Sequence, residues 1–254
     1  MQLLIIRHGD PDYAADGLTP KGHREAALLA EYLQNRPIDD YYVSPLGRAR
    51  ATARYTLEKK GAEAEVLDWL REFPAVVRTG ELPELEEALP PWEDDPRSEH
   101  LCWDILPRYW MEREEFFHPE DWRRTELCRH SDMEQVYARV TGSFDRLLER
   151  YGYFRQGRLY RAEPGSHKVA ALFCHFGVEC VLLAHLIGMN TFVLWHCTCA
   201  LPSAVTWVNT EERRQGVASW RMASFGDLSH LALGGEEPSF SARFCECFGD
   251  ETRH

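Results

Sequence analysis

The sequence has no uninterrupted apolar run long enough to cross a bilayer, since even residues 178–186 are broken by Glu179 and His185. Its first six residues, Met1 to Ile6, are a short apolar segment that meets Arg7 and His8, without the basic start and longer apolar stretch of a secretory signal. These absences predict a soluble, cytoplasmic protein. Positive charge is in short supply: 29 Lys and Arg face 41 Asp and Glu, for a formal net charge of -12. That balance repels polyanions at long range and argues against nucleic acid and anionic membrane surfaces as partners. No internal repeat is evident. Eight cysteines are few for 254 residues, so disulfides are not expected to staple the chain, and Cys174 and Cys180 lie in apolar surroundings suited to buried thiols. The Cys197-x-Cys199 and Cys245-x-Cys247 pairs lack the gap of roughly two to four residues found in zinc knuckles. Neither a metal nor a cofactor is expected. What remains, 44% hydrophobic residues over this length, is enough for a substantial core and is read as one domain spanning residues 1–254.

Residues 2–6 are a run of Leu and Ile that stops at Arg7-His8-Gly9, the pattern of a buried parallel strand ending in a polar loop. Ligands of open α/β sheets bind at such carboxyl ends. Leu18-Thr19-Pro20 predicts a helix start, with Thr19 capping free amides, Pro20 in the first helical position, and Ala26, Leu29, Ala30 and Leu33 as the apolar stripe. Residues 41–43 predict a strand ending at Ser44-Pro45-Leu46, followed by a helix over 48–60. Residues 65–70 predict a third strand, and 168–174 the most apolar one, which delivers His175 and Gly177 ahead of a helix over 178–187. Residues 203–209 and 217–222 predict paired strands across a polar turn at 211–216. Helical spacing returns over 131–150.

Between these segments, residues 74–130 turn to prolines, acids and the tryptophans Trp92, Trp103, Trp110 and Trp122. They are read as a helical, lid-like insertion whose tryptophans pack a small core, with the acids of 81–95 as a solvated face. The tail after Gly234 is expected to be loosely ordered, with Phe240, Phe244 and Phe248 available to dock it.

Four ordered motifs lie at the edges of these elements: Arg7-His8-Gly9; Leu18-Thr19-Pro20-Lys21-Gly22; Ser44-Pro45-Leu46-Gly47-Arg48-Ala49-Arg50-Ala51-Thr52-Ala53; and Cys174-His175-Phe176-Gly177. Together they resemble the histidine phosphatase, or phosphoglycerate mutase-like, superfamily. The resemblance covers roughly 1–72 and 168–231, and ordered motifs are far more specific than any one tripeptide. It implies a three-layer α/β/α sandwich with a mainly parallel central sheet. It also implies that His8 is the nucleophile, Arg7 and Arg48 the phosphate-binding arginines, His175 the second histidine of the pocket and Glu72 the proton donor. Glu81 and Glu84 compete with Glu72 for that last role.

Elementary chemistry points the same way. Phosphoryl transfer needs cationic, planar donors around three nonbridging oxygens, which Arg7 and Arg48 supply. Nearby cations disfavour a protonated imidazole and so keep a nucleophilic nitrogen free on His8. His175 precedes a helix whose first free amides, including that of Phe176 or Gly177, can point towards an anion, and Gly9 and Phe176 are expected among the substrate-binding residues. Where mutases and many related phosphatases carry Ser or Thr and then Asn after the first glycine, this chain has Pro11 and Ala14, and Asp10 and Asp12 add negative charge. A small phosphorylated substrate and metal-independent phosphomonoester hydrolysis through a phosphohistidine are therefore expected. The alternatives are a phosphoglycerate-type mutase and a non-catalytic phospho-ligand binder.

Overall fold

Pairing of the N-terminal strand with strands from the last third of the chain sets the architecture of the computed structural model, which describes residues 1–78, 80, 82, 84–85, 89 and 99–241. In chain order the elements are β1 (Gln2–Arg7), β2 (Pro11–Asp12), β3 (Gly17–Leu18), α1 (Pro20–Leu33), β4 (Asp40–Val43), α2 (Gly47–Lys60), β5 (Glu65–Val66), β6 (Val76–Arg78) and β7 (Glu99–Leu101). They continue with α3 (Pro107–Trp110), α4 (Glu126–Arg129), α5 (Met133–Glu149), β8 (Tyr153–Gln156), β9 (Leu159–Ala162), β10 (Val169–Cys174) and α6 (Phe176–Ile187). The chain then forms α7 (Thr191–Cys197), β11 (Val205–Arg214), β12 (Val217–Asp227) and α8 (Ser229–Gly234). None of the described helices is long and apolar enough to cross a membrane.

Eight strands form one sheet in the order β5-β4-β10-β1-β11-β12-β9-β8. Side chains alternate along β1, so Leu3 and Ile5 enter a core with α5, α6 and α7, while Leu4 and Ile6 enter a second core with α1 and α2. Helices on both faces make three layers, as expected. The expected mainly parallel sheet needs correction. Pairings β4–β5, β4–β10 and β1–β10 are parallel, but the other four, from β11 outward, are antiparallel. The physical reason is the connections: helices return the chain among β1, β4 and β5, whereas β11–β12 and β8–β9 close through tight turns that reverse it. Gly157, at φ 63° between β8 and β9, was the turn signal for a hairpin that the sequence reading left out.

Residue-level expectations hold for α1, where Thr19 accepts from the Gly22 amide and Pro20 opens the helix. The strand expected over 65–70 is shorter. Only Glu65 and Val66 pair with β4, and a 3-10 turn over Asp68–Leu70 then swings Leu70 and Phe73 into the core. The polar turn expected at 211–216 instead lengthens the ladder, because paired backbones carry β11 on to Arg214.

The insertion is less helical than expected: β6 pairs with β7, and short helical turns follow. Trp110 and Trp122 are fully buried, Trp110 against Phe192 and His196, and Trp122 against Tyr137 of α5. Glu81, Trp92, the acids of 86–95, Phe244, Phe248, Cys245 and Cys247 lie outside the described residues. Cys102, Cys128, Cys174 and Cys180 are buried free thiols.

Candidate active site

Register does the first work of assembly. Arg7 of β1 lies opposite Cys174 of β10, so the next residues, His8 and His175, leave two adjacent parallel strands side by side. Their ring centroids are 5.1 Å apart. After β1 the chain crosses to α1 and α2 on one face of the sheet, and after β10 it enters α6 on the other; a crevice opens where the crossovers part. Strand β4, next to β10, delivers Ser44 and then Arg48 in the first turn of α2.

Each group is fixed by a partner. The Nδ1 of His8 lies 2.7 Å from the Gly9 carbonyl oxygen. A carbonyl only accepts, so Nδ1 carries the proton and Nε2 keeps its lone pair. His175 Nε2 meets the Ser44 hydroxyl at 2.7 Å. Arg7 donates through Nη1 to the Ala200 carbonyl at 2.6 Å, and Arg48 through Nη1 to Asp16 at 2.8 Å. Within this cluster Arg7 Nε, Arg48 Nε and His175 Nδ1 are buried without a hydrogen-bond partner. Buried polar atoms are nearly always paired, so three orphaned nitrogens around one imidazole mark a place built for an acceptor-rich ligand.

Both imidazoles are held well below the ordinary histidine range: His8 by burial and then by Arg7 and Arg48, His175 by burial and then by His8, Arg48 and Arg7. Both are therefore neutral at pH 7.

Glu72 reaches the same spot from the loop after the 3-10 turn. Its Oε1 accepts from the Phe73 amide at 2.8 Å and from the Val178 amide, in the first turn of α6, at 3.1 Å. Burial raises its pKa, and the amides of Phe73, Gly177 and Val178, with Arg7, only partly offset that rise. A Cβ at position 177 would meet Glu72 Oε1 at 2.6 Å, so Gly177 is the gap in which the carboxyl sits. Glu84, the described competitor, is exposed.

The structure thus brings together Arg7, His8, Arg48, Glu72 and His175, and lays the Phe176 ring 5.7 Å from the Arg7 guanidinium. Gly9 departs from expectation. Its amide donates to Thr52 Oγ1 at 2.9 Å and is not free for phosphate; a Cβ there would meet the Gly22 carbonyl at 2.8 Å, so its smallness serves packing of the loop on α1.

Four supports escaped the sequence reading: Ser44, Thr52, Asp16 and the C-terminal segment. Asp16, at φ 45°, spends its carboxylate on the Gly47 amide and Arg48. The tail was expected to be loose, yet the hydroxyls of Ser239 and Ser241 donate to Asp10, two residues from His8, while Lys21 and Arg24 hold Glu236. Asp10 therefore faces the tail and not the crevice. Only its place after Gly9 hinted at such a role.

Two buried acids next to this assembly make its stability depend on pH. Burial pushes Glu25, which accepts from the Asp10 amide, up to about 7, and Glu179 of α6 up to about 8. A carboxyl with a raised folded value contributes stability that is fully present below its ordinary value and is lost as pH climbs through the raised one. Above about pH 6.5, where the buried histidines are mostly neutral in both states, the melting temperature should therefore fall towards about pH 8.5, and Glu179→Gln should flatten the decline. A level wild-type profile in calorimetry would refute this.

Comparison with known proteins agrees with the geometry. Residues 3–102 match the model of the histidine phosphatase superfamily, branch 1. The chain is 25% identical over 205 residues to an adenosylcobalamin/alpha-ribazole phosphatase of Salmonella typhi, covering 77% of this chain and 84% of that protein. It is 23% identical over 230 residues to phosphoserine phosphatase 1 of Hydrogenobacter thermophilus, covering 84% and 89%. A mycobacterial glucosyl-3-phosphoglycerate phosphatase, solved with inorganic phosphate, superposes with a TM-score of 0.55 at 18% identity over 90% of this chain and 98% of that one, which shows a shared fold.

Proposed function

Because the chain belongs to the histidine phosphatase superfamily, we propose that it hydrolyses small phosphate monoesters in two displacements through a phosphohistidine on His8. The observation that carries this reading is the tautomer lock: Gly9 holds the Nδ1 proton, and Nε2 of a neutral imidazole stays nucleophilic beside orphaned cationic donors. In the first displacement Nε2 bonds to phosphorus and the ester oxygen leaves with the proton of Glu72. Arg7, Arg48 and His175 take up charge on the nonbridging oxygens. In the second, water attacks phosphorus, its proton passes to the Glu72 carboxylate, and the N–P bond breaks to release inorganic phosphate. Two guanidiniums supply the positive charge, so the scheme calls for no metal.

Hydrolysis is favoured over transfer to a second acceptor because Pro11 and Ala14 bring no polar side chain to hold a returning intermediate. The described residues of 74–130 are assigned as cover for the crevice. Support comes from their start just beyond Glu72 and from Trp103 Nε1 donating to the Phe73 carbonyl at 3.1 Å. The core runs from the sheet to Trp110 and Trp122 without a break, which favours one domain. A cytoplasmic location suits the buried free thiols.

The test is turnover of p-nitrophenyl phosphate after exhaustive EDTA treatment, with rapid quench for an acid-labile, base-stable phosphoprotein. Activity and label should both survive chelation. Activity lost to EDTA and restored by zinc or magnesium would replace this scheme with a metal-assisted one.

A further inference from the structure

His8, Arg7 and His175 are each 3% exposed or less, whereas the Arg48 side chain is 11% exposed, so the cluster opens to solvent along Arg48. Over that guanidinium stands Tyr13, its ring centroid 5.4 Å from Cζ. At 67% exposure, Tyr13 is the most exposed aromatic side chain among the described residues. It does not dangle. It tips the small β2–β3 hairpin, in which Pro11 and Asp12 pair with Leu18 and Gly17, Asp12 accepts from the Ala15 amide at 3.1 Å, and Asp16 is tied to Gly47 and Arg48.

We propose that Tyr13 forms an aromatic subsite for the alcohol part of the substrate, selecting phosphate esters of planar, non-anionic alcohols. The proposal rests on the phosphatase reading for the position of the phosphoryl group. With one region of the ring over Arg48, the rest stays open beside the route by which an ester oxygen leaves the cluster. A rigidly presented tyrosine offers stacking area at small entropic cost, since only two side-chain torsions are frozen. The charge around it sets the second half of the preference. Asp12 and Asp16 flank Tyr13 on the same hairpin, and Arg48 is already shared between Asp16 and the phosphoryl group, so a carboxylated alcohol meets repulsion there. Phe176, over Arg7, adds a second aromatic wall on the inner side.

Two measurements test this. Among unactivated esters, 2-phenylethyl phosphate should exceed 3-phosphoglycerate in kcat/KM by about tenfold or more, the scale of one stacking contact. Tyr13→Ala should erase that ratio and Tyr13→Phe should keep it. In calorimetry, which needs no turnover, 2-phenylethylphosphonate should bind about tenfold more tightly than methylphosphonate, and Tyr13→Ala should bring the two together. If Tyr13→Ala weakened both phosphonates equally, the ring would serve only to cover Arg48 and the subsite would be overturned, as it would if 3-phosphoglycerate were the better wild-type substrate. A preserved binding ratio with no hydrolysis of any ester would sink the phosphatase reading and leave the subsite standing.

Discussion

His8→Ala abolishes turnover, with a loss of at least about 10⁴-fold in kcat, and leaves no phosphoprotein in rapid quench. In the proposed scheme the imidazole carries the nitrogen that bonds to phosphorus, so its removal deletes the first displacement while leaving the groups that hold the phosphoryl oxygens. The fold should survive. The His8 side chain makes one hydrogen bond, to Gly9, whose loss costs about 1 kcal/mol, while the strand pairing around it depends on backbone. Inorganic phosphate should still bind within about tenfold of wild type, because Arg7, Arg48 and His175 remain. A normal burst of acid-labile, base-stable label in His8→Ala would place the nucleophile elsewhere.

The second large effect belongs to Glu72, the proposed proton donor, and is selective. Glu72→Gln keeps an acceptor for the Phe73 and Val178 amides but has no proton to give. Unactivated alkyl phosphates should slow by about 10²- to 10⁴-fold, and p-nitrophenyl phosphate, whose oxyanion leaves unaided, by far less. Gly177→Ala should give the same signature by a different route, since its methyl takes the space of Glu72 Oε1 and displaces the carboxyl from the helix start. The pH profile separates the roles. A donor with a raised pKa stays protonated further up the pH scale than an ordinary carboxyl and fails as pH rises, so alkyl ester hydrolysis should lose activity on the alkaline side. His8, held low, remains a nucleophile on the acid side. In Glu72→Gln the alkaline limb should vanish. Equal slowing of both ester types would move another acid ahead of Glu72.

Much of this site was legible in the sequence because its principal groups follow directly on apolar strands. Runs such as residues 2–6 and 168–174 announce themselves, and the residue after each is fixed by chain continuity, so His8 and His175 could be named before their meeting was seen. Glu72 was harder, since its strand is only Glu65–Val66 and a 3-10 turn carries it to α6. The supports were not legible, for a shared reason. Ser44, Thr52, Asp16 and Ser239 act through contacts between segments far apart in the chain, and small polar residues look alike whether they cap a helix, face solvent or orient a histidine. The antiparallel half of the sheet was undercounted because the β8–β9 hairpin went unread and the polar ends of β11 and β12 hide a ladder made by backbone.

The central place of β1 has a consequence for how the enzyme comes into being. Its partners, β10 and β11, are made more than 160 residues after His8, and at about 5–20 residues per second a ribosome needs some 8–30 s to reach them. Until then His8 has neither His175 beside it nor the Ala200 carbonyl that holds Arg7. A nascent or prematurely terminated chain carries the first motif in full without the cluster around it, so on the proposed scheme hydrolysis of phosphate esters waits until β10, β11 and the segment between them have been made.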